Sequence, residues 1–247
     1  LLICRLSEGR VYYHTAAATL DLGLGDDDEA GVGVAALDLF GDASAGPPVA
    51  LVGTSFSDSP INNFPGFIAQ HSALEVVNYA ITGGNQFGAI SSYLTSQEFQ
   101  DAPPAFLVWE NPIYNNLAQY GDQPMRELIS AARNQCDHPL QAALSEDRSS
   151  LSIDLSGLHL GPRDTLFLDT NGSAALEVEY TFFSEDDLAR VKLIRRGERL
   201  RRTGRFYMPF SGLWPDGPRR VEINLNAPVG RSPQVSICHD KPQEQGS

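Results

Sequence analysis

The sequence has 247 residues, of which 42% are hydrophobic, and a formal net charge of −13 at neutral pH. This length predicts one large domain or two ordinary ones, and the longest apolar runs fall far short of the roughly 20 residues that a membrane-spanning helix needs. The acidic composition argues against a nucleic-acid-binding protein, because most of the surface would repel phosphate groups.

The first half of the chain has the pattern of an α/β domain. Two extended segments, LLICRL and VYYH, come first, and an acidic, glycine-rich segment at 23–34 predicts a loop. From Pro48 onward, apolar strand candidates alternate with helix candidates, which predicts βαβ units and a parallel sheet. The predicted strands lie at 49–53, 75–80 and 104–111, the helices at 63–74, 89–99 and 123–134, and a glycine-containing loop at 82–88.

The second half of the chain, after Cys136, predicts antiparallel β structure. It contains seven short strand candidates between turn signals, and several alternate apolar and polar residues as half-buried antiparallel strands do. Their number and spacing predict a β-sandwich of about 105 residues. We therefore expect a boundary near 134–148, with one domain at 1–135, a second at 136–240 and a disordered polar tail at 241–247. The strand candidates lie at 150–158, 164–171, 175–183, 190–196, 204–210, 219–226 and 233–238.

The three cysteines, Cys4, Cys136 and Cys238, have no metal-ligand spacing, so no metal site is predicted. Cys136 and Cys238 bracket the second half almost end to end, and a disulfide closing so long a loop would stabilise the fold by roughly 4 kcal/mol. We predict this pair, which leaves Cys4 to bond to something outside the chain. The alternative is three reduced, buried cysteines in a cytosolic protein.

Charge is distributed unevenly along the chain. No lysine or arginine lies between Arg10 and Arg126, a segment with thirteen acidic residues, whereas ten of the eighteen basic residues lie between Arg190 and Arg220. A polyanion could therefore bind only along this basic strip. The alternative is a solvated strand face without a ligand. The basic strip consists of Arg190, Lys192, Arg195, Arg196, Arg199, Arg201, Arg202, Arg205, Arg219 and Arg220.

Ser55, in the segment VALVGTSFSDSP, is the candidate nucleophile. It comes just after the first predicted parallel strand, and open α/β sheets bind their ligands beyond the carboxyl ends of the strands. Gly53 would allow a tight turn before it. The alternative is that Ser55 only begins a helix, because Ser55-x-x-Asp58 has the form of a capping box.

Two further strand ends are expected at the same edge of the sheet. TGG at 82–84 follows the second strand, and glycine amides there could hold an oxyanion. WENPIY follows the third strand and brings Glu110, Asn111 and Tyr114 to the same rim. A serine nucleophile needs a base, normally histidine, and none of the five histidines lies in a segment that suggests this role. No complete catalytic triad is expected among these residues.

The segments GTSFSDSPINNF, NYAITGG and FLVWENP resemble the family of periplasmic alginate O-acetyltransferases that includes AlgX and AlgJ. The resemblance implies an SGNH-hydrolase-like catalytic domain. In AlgX a β-sandwich carbohydrate-binding module braced by a disulfide follows, and Cys136 and Cys238 match that arrangement. The similarity covers the chain from about Pro48 to Cys238.

The resemblance implies acyl transfer without a cofactor. Ser55 matches the family's acetyl-accepting serine, and Gly83, Gly84 and Tyr114 are expected to form the oxyanion and acceptor pocket. The other two catalytic residues of the family lie in an Asp-x-His motif upstream of the serine, and no Asp-x-His occurs in this sequence. We expect the chain to begin after that motif, with Cys4 bonded to the part that precedes it.

The resemblance also implies partners. They are alginate or polymannuronate as acceptor, a protein or small molecule as acetyl donor, and a helical-repeat outer-membrane lipoprotein of the alginate export complex. Because each uronate carries a carboxylate, the basic strip would bind the polymer, and Trp214, Phe206 and Tyr207 could stack on sugar rings. For Phe206 the favoured interpretation is a place in the core. The candidate polymer-binding residues are Arg195, Arg196, Arg199, Arg201, Arg202, Arg205, Trp214 and Arg220.

Two other functions agree with the sequence. One is an SGNH-type esterase that releases acetate to water, and the other is a non-catalytic, polysaccharide-binding scaffold of an export complex.

Overall fold

A computed structural model describes two strands at 2–7 and 10–15 and all residues from 46 to 239. The loop predicted at 23–34 and the tail predicted at 241–247 lie outside the described residues, as does the side chain of Cys4. No helix in the described part of the chain is long and apolar enough to cross a membrane.

The first sheet has five strands in the order β2-β1-β5-β3-β4 and is mixed. β3 (Val49–Val52) lies between β4 (Val76–Asn78) and β5 (Phe106–Trp109) and is parallel to both, as predicted. β1 (Leu2–Ser7) and β2 (Arg10–Thr15) form an antiparallel hairpin, and β1 pairs antiparallel with β5. The prediction of a purely parallel sheet is therefore wrong at this edge. Antiparallel strands need only a short connection, so the two extended segments pair directly with each other.

Helices cover both faces of this sheet, which explains why β3 is apolar throughout. Ala50 and Val52 pack on one side against a cluster that includes residues of the helices at 85–94 and 123–133. Val49 and Leu51 point to the other side, toward the helix at 64–72. Because side chains alternate across a strand, a strand covered on both faces needs apolar residues at every position.

The helices differ from the predicted ones at two points. The predicted helix at 89–99 is two helices, and the first of them begins at Asn85, inside the predicted loop. Asn85 accepts a hydrogen bond from the Phe87 amide at 2.9 Å, and Ser96 caps the next helix by accepting from the Phe99 amide at 3.2 Å. Ser96 is thus a side-chain cap, whereas the Asn85 bond lies within the first turn of α3, and apolar periodicity alone reveals neither. The helices are α1 (Ser55–Asp58), α2 (Phe64–Ser72), α3 (Asn85–Leu94), α4 (Gln97–Asp101) and α5 (Gln123–Arg133).

The C-terminal β region, residues 138–238, consists of two antiparallel sheets that share one hydrophobic core. All seven predicted strands are present. Two short strands within the predicted boundary at 134–148 were missed: one joins each sheet at its edge, where three residues are too few to show alternation. The strand orders are β11-β10-β13-β8-β7 and β12-β9-β14-β6. The strands are β6 (His138–Leu140), β7 (Ala142–Leu144), β8 (Ser150–Asp154), β9 (Thr165–Asp169), β10 (Glu177–Phe183), β11 (Ala189–Arg195), β12 (Arg205–Pro209), β13 (Arg220–Leu225) and β14 (Gln234–Cys238).

The four-stranded sheet is buried on both faces. Phe206 and Met208 of β12 fill the core shared with the other sheet, whereas Tyr207 points the opposite way, into the cluster around α5. The Tyr207 hydroxyl donates to the Asn134 side-chain oxygen at 3.0 Å. Phe206 and Tyr207 are 2% and 0% exposed, so neither can stack on a sugar ring. The core placement of Tyr207 corrects the stacking prediction, whereas that of Phe206 confirms the core interpretation.

α5 joins the two parts of the chain. Glu127 on this helix forms a bidentate ion pair with Arg196 of the C-terminal β region, and their side chains are only 7% and 11% exposed. One turn further along, the Ser130 and Thr165 hydroxyls lie 2.8 Å apart in a hydrogen bond. The contact between the sheets and the α/β part therefore includes buried charge as well as apolar surface.

Cys136 and Cys238 form a disulfide that spans 102 residues of sequence. This confirms the predicted pair and rules out reduced thiols at these two positions. The bond ties the end of α5 to the last strand, and losing a native disulfide typically costs about 2–5 kcal/mol.

Candidate functional site

Ser55 is exposed at the start of the one-turn helix α1, directly beyond the carboxyl end of β3. The N-cap is Thr54, whose Oγ1 accepts from the Phe56 amide at 3.4 Å. The capping-box interpretation of Ser55 is therefore wrong, because the residue before it already caps the helix. The Ser55 hydroxyl makes no hydrogen bond to any residue that the structure describes. Its amide is also uncommitted within the helix, since the first N–H groups of a helix have no intrahelical acceptor.

Glu110 holds the turn that carries Ser55. Its Oε2 accepts from the Thr54 amide at 2.7 Å, from the Thr54 hydroxyl at 2.9 Å and from the Ser57 hydroxyl at 3.1 Å. Glu110 directly follows β5, so these bonds tie the end of one strand to the turn after its neighbour. The position of Glu110 on the rim is predicted from the sequence, but its role as an anchor of the turn is not. The available signal was an acidic residue immediately after a buried strand.

Gly53 is required for this contact. A Cβ at position 53 would lie 2.6 Å from Glu110 Oε2 and 2.9 Å from Ser57 Oγ, closer than real Cβ atoms approach such neighbours. Gly53 does not have a positive φ. The glycine therefore serves the close approach of the Glu110 carboxylate rather than an unusual backbone turn.

The end of β4 is tied to the same turn. Asn78 donates from Nδ2 to the Ser57 carbonyl at 2.8 Å. Asp58 Oδ2 accepts from the Thr82 amide at 3.0 Å and from the Thr82 hydroxyl at 2.6 Å. Ser55 and Asp58 are three residues apart, and such residues share one face of a helical turn. The Thr82 loop therefore lies on the side of α1 that Ser55 occupies.

The two glycines of this loop are not equivalent. Gly83 is exposed and has a φ of +79°, and its amide has no acceptor among the described residues. Gly84 is buried, and its amide donates to the Ile81 carbonyl at 3.1 Å. Of the two predicted oxyanion donors, Gly83 is therefore the one whose amide N–H makes no hydrogen bond to the described residues.

Two exposed aromatic rings border the serine. Tyr114 is 73% exposed, and its ring centroid lies 6.5 Å from that of Phe56, which directly follows Ser55. Phe56 is itself 49% exposed. Tyr114 thus lies near the serine turn, as the strand order led us to expect.

No described histidine contacts Ser55. His71 is exposed on α2, and His138 and His159 lie in the C-terminal β region. His239 Nδ1 lies 3.1 Å from Asp164, in an Asp–His pair of the same region. Among the residues whose side chains the structure describes, Ser55 therefore has hydrogen-bond donors nearby but no histidine partner.

Most of the predicted polymer-binding arginines have carboxylate partners. The Glu127 partner of Arg196 is buried, whereas the other pairs lie at or near the surface. Arg199 and Arg202 are exposed and have no carboxylate within ion-pair distance among the residues described. The basic strip is therefore not one free cationic face. The paired arginines are Arg195 with Glu177, Arg196 with Glu127, Arg201 with Glu98, Arg205 with Asp169 and Arg220 with Glu222.

Trp214 and Lys192 are also engaged in the fold. Trp214 packs against the core of the sheets and has the Arg190 guanidinium 4.8 Å above its ring. Lys192 Nζ donates to the Pro209 carbonyl at 2.5 Å and to the Ser211 carbonyl at 3.0 Å. Burial lowers the pKa of Lys192 to about 8, with a smaller opposing effect of Asp122.

The turn that carries Ser55 lies in a segment of the chain that is similar to known proteins. Residues 25–113 match the family described as SGNH hydrolase-like domain, acetyltransferase AlgX. The chain is 42% identical over 101 residues to the alginate biosynthesis protein AlgX of Azotobacter vinelandii, covering 40% of this chain and 20% of that protein. It is 33% identical over 116 residues to the probable alginate O-acetylase AlgJ of Pseudomonas fluorescens, covering 45% of this chain and 29% of that protein. The chain thus aligns with about a fifth of the AlgX relative's length.

The fold agrees with these matches. It resembles the solved structure of Pseudomonas aeruginosa AlgX with a TM-score of 0.63 and 23% identity, covering 79% of this chain and 48% of that one. The structural similarity therefore extends beyond the matched sequence segment. The chain is therefore similar in sequence to AlgX and AlgJ, and its residues 25–113 match the SGNH hydrolase-like domain of AlgX.

Proposed function

We propose that the protein is an O-acetyltransferase that acetylates mannuronate hydroxyls of alginate through an acetyl-enzyme on Ser55. The observation that carries this proposal is the exposed Ser55 hydroxyl, presented by a turn that Glu110 holds, inside the segment that matches the AlgX family. A serine nucleophile needs a rigidly held hydroxyl that is free to meet a base and the substrate, and the exposed, unpaired Ser55 hydroxyl on a braced turn meets the first part of that requirement.

The reaction has two steps. Ser55 Oγ attacks the acetyl carbonyl of the donor and loses its proton to a base, and the donor's leaving group departs with a proton. The uncommitted amides of Ser55 and Gly83 are the candidates to hold the oxyanion. A sugar hydroxyl then attacks the acetyl-serine and gives its proton to the same base, which returns a proton to Ser55 Oγ as the bond from that oxygen to the acetyl group breaks. The base is expected to be the histidine of the Asp-x-His motif that the family carries upstream of its serine.

The remaining parts of the proposal concern location and partners. The C-terminal β region would hold the polymer as a carbohydrate-binding module, in a periplasmic export complex with a helical-repeat lipoprotein. The Cys136–Cys238 disulfide supports an oxidising compartment such as the periplasm, because cytosolic thiols are kept reduced. The acetyl donor is either a small molecule or another protein.

The direct test is to trap the acetyl group. Full-length protein is incubated with the chromogenic ester p-nitrophenyl acetate, quenched in acid and digested, and the peptides are analysed by mass spectrometry. We expect one acetyl group on the peptide that contains Ser55, and its loss when polymannuronate is added before the quench. An acetyl group on another residue, or none, would contradict the serine intermediate.

The same incubation separates the transferase from the esterase. We expect polymannuronate to become acetylated and to speed the release of p-nitrophenol. Acetate release at a rate that does not depend on the polymer would instead support the esterase. Polymer binding without acetyl transfer to polymer or water would support the scaffold.

Glu110→Gln is expected to lower kcat for acetyl transfer by about 10- to 100-fold, because an amide cannot accept all the hydrogen bonds that position the Ser55 turn. KM for the acceptor should change little, since Glu110 faces the turn and not the solvent side of Ser55. Kinetics with polymannuronate, together with a thermal melt of each variant, measure both effects.

The matched control for this prediction is Glu75→Gln, which changes an exposed glutamate of the same part of the chain whose side chain makes no hydrogen bond or ion pair to the described residues. It should leave kcat close to that of the wild type. A Glu110→Gln variant with wild-type kcat would show that the hydrogen bonds to Thr54 and Ser57 do not position the nucleophile.

A further inference from the structure

One arginine of the C-terminal β region reaches the edge of the sheet where Ser55 lies. Arg199 belongs to the β11–β12 loop, residues 196–204, and its Nη1 donates to the Thr82 carbonyl at 3.4 Å. A Cβ built on Gly83 would lie 3.2 Å from the same nitrogen, so the guanidinium lies directly against this glycine. Sequence separation hides the contact, since Arg199 and Thr82 are 117 residues apart.

The loop that carries Arg199 is anchored on α3. Leu200 packs so closely that a Cβ on Gly88 would come within 2.9 Å of its Cδ2. The Thr203 and Thr95 hydroxyls lie 2.9 Å apart in a hydrogen bond. Together with the Arg196–Glu127 ion pair, these contacts fix the loop on both sides of Arg199.

A chain of contacts connects Arg199 to the nucleophile. Thr82 accepts from Arg199 through its carbonyl and donates to Asp58 through its amide and hydroxyl. Asp58 lies one helical turn after Ser55 on the same face of α1, where Cβ atoms are about 5–6 Å apart. Arg199 and Ser55 therefore border the same Thr82–Gly83 loop.

The charge around this edge is otherwise negative. No lysine or arginine occurs between Arg10 and Arg126, whereas Asp58 and Glu110 lie at the turn itself. Arg201 of the same loop also reaches this part of the chain, but it is paired with Glu98 at 2.6 Å. Arg202 of this loop also has no carboxylate partner among the described residues, but Arg199 is the one that contacts the Thr82–Gly83 loop.

We propose that Arg199 binds the carboxylate of the uronate ring whose hydroxyl accepts the acetyl group, and so selects an anionic acceptor. This inference rests on the proposed acetyl transfer at Ser55. A guanidinium suits the role because its planar fork of N–H groups matches a carboxylate in bidentate geometry, and one N–H bonded to Thr82 leaves others for the ligand. The acceptor subsite is then composite, with its nucleophile from the α/β part and its cation from the C-terminal β region.

The test compares Arg199→Gln with Arg231→Gln in the full-length protein. Arg231 is a matched control, because it is an exposed arginine of the C-terminal β region with no carboxylate partner among the described residues and lies outside the basic strip. The acceptors are short mannuronate oligosaccharides and neutral mannan oligosaccharides, with p-nitrophenyl acetate as donor. For Arg199→Gln we expect KM for mannuronate to rise about 10- to 100-fold, because charge-assisted hydrogen bonds are lost, with little change for mannan.

Two outcomes would overturn the inference. The first is that Arg199→Gln keeps the wild-type preference for mannuronate over mannan. The second is that it lowers transfer to both acceptors equally, which would indicate a structural role for the arginine. Arg231→Gln should retain the preference, and equal effects of the two substitutions would show a general charge effect instead of a subsite.

A binding measurement separates this inference from the proposed reaction. Calorimetry with mannuronate oligosaccharides on Ser55→Ala and on Ser55→Ala/Arg199→Gln requires no acetyl transfer. We expect the second protein to bind about 10- to 100-fold more weakly. Equal affinities, or no preference of the Ser55→Ala protein for mannuronate over mannan, would overturn the role of Arg199 even if Ser55 proves to carry the acetyl group. Failure of the proposed function would instead appear as no acetyl group on Ser55, whatever the affinities.

Discussion

Ser55→Ala in the full-length protein is expected to lower the rate of acetyl transfer to mannuronate by about 10³- to 10⁶-fold. Removing a serine nucleophile eliminates the covalent intermediate, and what remains is the smaller contribution of substrate binding and oxyanion stabilisation. The fold should be unaffected, because the exposed hydroxyl makes no hydrogen bond to the described residues and Thr54 caps the helix. Acetyl groups incorporated into polymannuronate, together with the loss of acetylated peptide, measure the effect.

Ser59→Ala is the matched control for this substitution. Ser59 ends the same helical turn, where its amide donates to the Ser55 carbonyl, a bond that alanine keeps. Loss of the Ser59 hydroxyl should leave the rate of acetyl transfer near that of the wild type. A Ser55→Ala protein that acetylates the polymer at the wild-type rate would contradict an acetyl-serine intermediate.

Glu127→Ala is expected to lower the free energy of unfolding by about 3–5 kcal/mol. The substitution leaves the Arg196 guanidinium buried without its carboxylate, and the cost of an unpaired buried charge exceeds the value of the bond itself. For a domain of this size the midpoint of thermal unfolding should fall by roughly 10 °C. Thermal or urea unfolding followed by circular dichroism measures the loss, with the disulfide kept oxidised.

Glu177→Ala provides the comparison, because it breaks the exposed Glu177–Arg195 pair. Surface ion pairs contribute little, so a far smaller effect is expected. Replacing both Glu127 and Arg196 by apolar residues of similar size should recover much of the stability lost in Glu127→Ala. Equal losses for Glu127→Ala and Glu177→Ala would mean that water reaches Arg196 at the junction.

The order of the strands and helices could be predicted from local patterns, because burial of one face spaces the apolar residues at the period of the element. The apolar run at 49–52 and the alternation at 177–183 predicted strands with nearly the observed bounds. One miss lies at Ser96, where a side-chain hydrogen bond, not periodicity, sets the start of a helix. The antiparallel edge was missed because a sequence shows that a segment is extended but not which neighbour it pairs with.

The candidate site, too, was predicted only in part from the sequence. Ser55, the TGG loop and Tyr114 were predicted from their positions after three strands, because parallel strands bring their carboxyl ends to one edge. The use of Glu110 as the anchor of the serine turn was not predicted. Its partners are more than fifty residues away, and a carboxylate after a strand looks the same whether it faces substrate or backbone.

The basic strip shows the largest difference between composition and structure. Clustered arginines in the sequence suggested one polymer-binding face, yet Arg196 is buried against α5, others are paired with carboxylates, and Arg199 lies beside Gly83. Linear sequence alone was enough for most strands and helices and for the disulfide pair, because these depend on residue type and on the spacing of apolar residues. Which carboxylate meets which arginine, and which cation lies next to the serine, depended on tertiary packing, because those contacts join residues that only the folded chain brings together.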